Sequence, residues 1–101
     1  MKAKNAKSVK RFEDIPNIGP AMVRDFKLLG LKNPSELKAK DPLALYKKIC
    51  QITHSHHDPC VLDTYMAAID FMNGAEAKPW WKYTSLRKRK YYHISISQNL
   101  I

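Results

Sequence analysis

The sequence predicts an all-α fold, a compact bundle of about five helices with flexible basic ends. Three observations predict it. Apolar residues recur at helical spacing through most of the chain, as in Met22, Val23, Phe26 and Leu29. Three pairs, Asn33-Pro34, Asp41-Pro42 and Asp58-Pro59, give a helix-start signal. Each is a short polar cap followed by a proline whose missing N–H costs nothing in a first turn. Gly30 and Gly74 stand where helical runs should stop, because glycine takes the left-handed conformation of a helix end.

Taken in order, residues 1–7 are polar and lysine-rich and are expected to be a disordered tail. The folded domain is expected over 8–90. A first helix is expected over 8–15, capped by Ser8, with Val9, Phe12 and Ile15 on one face. The stretch Ile15-Pro16-Asn17-Ile18-Gly19-Pro20 then makes a tight bend. Asn17 tolerates the left-handed region, Gly19 takes angles that other residues resist, and Pro20 fits a first helical turn. A second helix follows from Pro20 to Leu29. Asn33 opens a short helical turn. A third helix is expected over 42–53, with Leu45, Tyr46, Ile49 and Ile52 as its apolar stripe. A fourth, over 59–73, turns Leu62, Tyr65, Met66, Ile69 and Met72 to the core. The bend with its helices should supply half of the core, and the 42–53 and 59–73 helices the rest. Lys78-Pro79-Trp80-Trp81 opens a last short helix to about Arg87. Its aromatics, interleaved with cations, could stack on exposed bases, but at least one indole is expected to serve the core, with Trp81 closing it and Trp80 capping its rim. In the tail, 91–101, Tyr92, Ile94 and Ile96 alternate with His93, Ser95 and Ser97, the period of a strand. A lone strand has no partner in a helical chain. The tail should therefore be loosely ordered or pair with a second copy, giving a homodimer.

Charge is placed at the ends. The 101 residues carry a net +9. Residues 1–11 hold five basic side chains and no acid, and residues 77–101 hold six and no acid. That leaves seven basic against nine acidic residues over 12–76, a net of −2. A polyanion is the natural partner of such ends, although basic tails also serve simply as solubilising surface. No apolar run is long enough to span a membrane, and no apolar run follows the basic N-terminus as in a secretory signal. Cys50 and Cys60 are too few for a disulfide framework, so reduced thiols in a cytoplasm are expected.

The bend carries the functional expectation. At the start of a helix it leaves the N–H groups of Gly19, Ala21 and Met22 free, a geometry that suits phosphate. Ile15-Pro16-Asn17-Ile18-Gly19-Pro20 resembles the helix-hairpin-helix motif of proteins that bind DNA without sequence preference, with Asn17 where that motif usually has its first glycine. Together with His57-Asp58-Pro59-Cys60, Trp80-Trp81 and the basic stretch from Arg87, it resembles a family of small bacterial proteins. This is the pathogenicity-locus or mitomycin-resistance-like family. The bend also resembles the C-terminal domain of TfoX-type competence regulators. The resemblance covers roughly residues 12–90. It implies an all-helical DNA-binding protein acting in repair, competence or drug resistance.

The residues expected to touch nucleic acid are Asn17, Ile18, Gly19, Ala21 and Met22 at the bend, with Arg24 and Lys27 on its helix. Lys7, Lys10 and Arg11 would extend the contact from one end, and Arg87, Lys88, Arg89 and Lys90 from the other. Main-chain donors do not see base identity, so binding should be non-specific and salt-dependent, with the choice between duplex DNA, single-stranded DNA and RNA left open. Two further constellations have plainer readings. Cys50, His54, His57 and Cys60 could make a zinc site, but their spacing matches no common module and Cys50 falls beside an apolar stripe. Cys60 with His57 could make a nucleophile, but Asp58-Pro59-Cys60 is more simply a helix start. No phosphate-binding loop, dinucleotide fingerprint or paired carboxylates mark an enzyme, and no cofactor is expected. The reading is thus a DNA-backbone-binding protein. The alternative is a protein-interaction module that uses the bend only as scaffold.

Overall fold

One helix, Cys60–Met72, is buried on nearly every side, and the other described elements pack around it. Ten of its thirteen residues are buried, from Leu62 to Met72. The computed structural model describes residues 2–91. Within them lie four α-helices: α1 (Pro20–Leu28), α2 (Pro42–Thr53), α3 (Cys60–Met72) and α4 (Thr84–Lys90). Four short 3-10 turns, Ala6–Ser8, Phe12–Asp14, Pro34–Ala39 and Trp80–Tyr83, fill the connections. The fold is all-α, as expected. The strand-like stretch 92–96 and the homodimer contact through it lie outside the described residues.

The start signals act as the sequence implies. The Asp41 carboxylate accepts from the Ala44 N–H at 2.9 Å, and that of Asp58 from the Cys60 N–H at 2.8 Å. Glu36 accepts from the N–H groups of Lys32 and Asn33 at 2.6 and 2.7 Å, closing the turn that Pro34 begins. Gly30 and Gly74 take φ of +84° and +104°, as stopping positions require. α2 buries Leu45, Tyr46, Ile49 and Cys50, while Ile52 stays 38% exposed at its end. α1 packs on α2 and on the Phe12–Asp14 turn, and α3 receives α2, the Pro34–Ala39 turn, the Trp80–Tyr83 turn and α4. Phe12, Phe26 and Tyr65 stack in series at centroid distances of 5.1 and 5.6 Å, joining the bend to α3.

The N-terminal region differs most from expectation. No helix runs over 8–15. Two separate 3-10 turns stand there, with Val9 and Arg11 extended between them. Asp14 explains the break: its carboxylate accepts from the N–H groups of Lys10 and Arg11, both at 2.9 Å. A short polar side chain thus takes donors that a helix would have used. Asn5, not Ser8, caps the first turn, accepting from the Ser8 N–H at 3.1 Å. Nor do residues 2–7 hang free. The Ala3 N–H donates to the Asp14 carbonyl at 2.7 Å, and the Lys2 ammonium donates to the carbonyls of Glu13 and Ile18. Ala3, Ala6 and Val9 pack against the core.

The C-terminal end also departs from the expected arrangement. The last helix comes in two parts, the Trp80–Tyr83 turn and then α4. In a 3-10 turn residues three apart eclipse, so Trp80 lies over Tyr83 on the inner side. Tyr83 is buried and Trp80 half-buried, whereas Trp81 is 58% exposed. The expected roles of the two indoles are therefore reversed. Tyr91, assigned from sequence to the loose tail, is buried in the core.

Candidate nucleic-acid interface

The bend is held from behind by two buried side chains. Ile15 and Ile18 flank it at 0% and 1% exposure. The Ile18 N–H donates to the Ile15 carbonyl at 3.2 Å, closing the turn. Ile18 therefore has no amide to offer a ligand and serves as an anchor. Asn17 takes the left-handed conformation, φ +73°, and its side-chain amide donates to the Lys78 carbonyl at 2.7 Å. It ties the bend to the segment that precedes the two tryptophans. The bend is preceded by a 3-10 turn in place of a helix, so only α1 provides a helical flank.

The outer side of the bend is open. Pro20 and Ala21 are exposed and Gly19 and Met22 half-exposed. The first bond of α1 runs from the Val23 N–H to the Gly19 carbonyl at 3.0 Å. None of the described residues accepts from the N–H of Gly19, Ala21 or Met22, which are among the donors any helix start leaves free. Gly19 itself is extended, at φ −104° and ψ −175°. It does not use the backbone freedom of glycine, contrary to the sequence expectation. A Cβ built on it would meet no atom within 4 Å. Neither conformation nor packing requires glycine here.

Beside the bend, a cleft of about 230 Å³ runs between the Phe12–Asp14 turn, α1 and the start of the Pro34–Ala39 turn. Lys10, Arg11, Lys27 and Lys32 line it together with Glu13, over a floor of Phe12, Val23, Leu31 and Pro34. The fold thus brings together three of the expected cations and adds Lys32. Lys32 lies in the loop between a helix stop and a helix start, where periodicity assigns no face. The Asp14 carboxylate is close by, but backbone N–H bonds from Lys10 and Arg11 occupy it and hold its pKa below the ordinary value. Arg24 is exposed on α1, and Lys7 is exposed in the first turn.

Arg87 is the main correction. Its Nε donates to Asp63 at 2.8 Å, and the Thr84 hydroxyl donates to the other oxygen of that carboxylate at 2.7 Å. Asp63 is fully buried and Arg87 is 7% exposed. This side chain ties α4 to α3 and cannot reach a ligand without leaving a buried charge behind. Lys88, Arg89 and Lys90 remain exposed on α4, with the Lys90 ammonium 5.4 Å from the Tyr91 ring centroid.

The cysteine–histidine set does not assemble. Cys50 is fully buried in the core, Cys60 half-buried at the start of α3, and His54 exposed. His57 lies 2.8 Å from the Thr53 hydroxyl through Nε2, and its carbonyl accepts from Tyr46. Among the described residues no three such side chains are placed to hold a metal ion. Burial, followed by the neighbouring Asp58, pushes the Cys60 thiol above its ordinary pKa, the opposite of what an activated nucleophile needs. No helix of the described residues is long and apolar enough to cross a membrane.

The chain belongs to the pathogenicity-locus (Cdd1) family, whose model matches residues 5–89. It is similar to the mitomycin resistance protein McrB of Streptomyces lavendulae. The two are 40% identical over 73 residues, spanning 72% of this chain and 70% of that protein. No solved structure is significantly similar.

Proposed function

We propose that this protein binds the sugar–phosphate backbone of DNA without sequence preference, inside a bacterial cytoplasm, as a binding protein and not an enzyme. The observation that carries the reading is the open start of α1: the amides of Gly19, Ala21 and Met22 have no internal acceptor, and the space beside Gly19 is empty. Uncovered amides at a helix start favour an anion, and the adjacent cleft supplies Lys10, Arg11, Lys27 and Lys32 for the next phosphates along the strand. Arg24, Lys7 and the exposed cations of α4 add positive field at longer range. In this reading the bend acts as the hairpin of a helix-hairpin-helix, with the 3-10 turn standing in for its first helix. The relative's name supports drug resistance as the setting, and the resemblance of the bend to DNA-binding hairpins keeps DNA repair and competence beside it.

The test is a salt titration of binding to labelled duplex DNA of unrelated sequences. With about five phosphates engaged, log affinity should fall against log salt with a slope of about −4 to −5. Lys27→Gln with Lys32→Gln should flatten that slope by about 2 while leaving the unfolding midpoint in place. A flat response in the unmodified protein would refute the proposal and leave the bend as scaffold for a protein partner.

A further inference from the structure

Trp81 is the large side chain the core does not use. At 58% it is the most exposed of the large hydrophobic residues described, ahead of Leu28 at 49%. The core is closed without it, by Tyr83 and the half-buried Trp80. It is nevertheless held. Trp80 and Trp81 meet edge-on, with ring centroids 5.7 Å apart and planes at 86°. Whichever ring presents its edge, such a contact leaves at least one face of Trp81 uncovered by Trp80.

Two lysines flank this indole in the chain. Lys78 and Lys82 are exposed on either side of it in the chain, and no acidic residue occurs after Glu76. Asp70 of α3 shares the cleft beside Tyr83 with both lysines, so two cations stand against one acid there. An exposed apolar surface with a net positive border suits an aromatic group carried by an anion better than a basic partner. The position matters as much. The Asn17 bond to the Lys78 carbonyl fixes this segment to the bend. Three residues on, the Cα of Trp81 can lie no more than about 11 Å from that of Lys78. That is the span of about three stacked nucleotides.

We propose that Trp81, with Lys78 and Lys82 beside it, is a stacking platform for an unpaired base, so that the protein prefers single-stranded DNA to duplex. The proposal rests on the backbone-binding reading and deepens it by naming the form of DNA. Bases in an intact duplex have both faces covered by their neighbours and offer nothing to an indole. In a single strand a face is free, and aromatic stacking is tolerant of sequence. The phosphates of that strand lie on the Gly19, Ala21 and Met22 amides, and the base a few positions away lies on Trp81.

The experiment compares one sequence as single strand and as duplex, by anisotropy of labelled oligonucleotides, with the full chain and its Trp81→Ala and Trp81→Phe variants. The unmodified protein should favour the single strand. Trp81→Ala should weaken single-strand binding about tenfold and leave duplex binding unchanged, while Trp81→Phe should recover most of the loss. Because Trp81 is exposed, the unfolding midpoint should not move. Equal loss on both forms, or no loss on either, would overturn the platform while leaving backbone binding in place. Failure of the unmodified protein to bind either form would instead overturn the backbone reading, and the platform with it.

Discussion

Two sets of cations in this molecule look alike in sequence and do opposite things. Arg87 belongs to an unbroken basic run, yet it turns inward to a fully buried carboxylate. Lys10, Arg11, Lys27 and Lys32 are scattered along the chain, yet they converge on one open cleft. A charge with a desolvated partner has become part of the fold, while charges left in water with no counter-ion of matching number are available to a ligand. Local charge density therefore says little about which cations bind. The partner each one finds in the fold decides it.

The sharpest way to break this contrast is to remove Arg87. Arg87→Ala leaves the Asp63 carboxylate buried without its counter-charge and should cost about 3–5 kcal/mol in urea unfolding. The DNA-binding salt slope measured on the remaining folded protein should not change. A slope that flattened, with stability intact, would move Arg87 into the other set.

Asn17 tests how the bend is held. Asn17→Gly keeps the left-handed backbone and loses only the bond to the Lys78 carbonyl, for about 0.5–1.5 kcal/mol. Asn17→Ala loses the bond and adds about 1 kcal/mol of backbone strain. Equal unfolding midpoints for the two variants would show that the φ of +73° is not a constraint.

Acid gives the smallest effect. Asp14, Glu36 and Asp58 are each held below their ordinary pKa, first of all by backbone N–H bonds, from Lys10, Asn33 and Cys60 respectively. A carboxylate with a lowered pKa stabilises the fold above its unfolded value and loses that contribution as pH falls through its folded value. Stability should therefore be level down to the reference values of 4.5 for Glu36 and 3.8 for the two aspartates, then decline below them. A decline already complete above that window, followed by circular dichroism, would assign the loss to other groups.

Much of the fold is legible in the residues, and the illegible parts have identifiable causes. α2 and α3 are readable because each begins at an Asp-Pro pair whose carboxylate caps the helix, and Gly30 and Gly74 stop the runs before them. The 8–15 region is misleading because Val9, Phe12 and Ile15 have a spacing of three, which serves a 3-10 turn as well as an α-helix. Asp14 decides the matter through bonds that periodicity cannot show. Arg87 was findable. Tyr83, Arg87 and Tyr91 recur at a spacing of four and all three are buried, so the basic run has an inner face. The cleft was not findable in the same way, since Lys32 enters it from a loop and only the packing of the first turns against α1 brings Lys10 and Arg11 to it.

The amides of the bend remain the centre of the account, and Gly19→Ala addresses them most directly. The backbone at Gly19 accepts alanine and the space in front of it is empty, so the unfolding midpoint should hold or rise slightly. A methyl group there stands where a phosphate must approach, and affinity for DNA at low salt should fall about tenfold, or about 1.4 kcal/mol. Unchanged affinity in a folded Gly19→Ala protein would contradict the claim that these amides hold the phosphate.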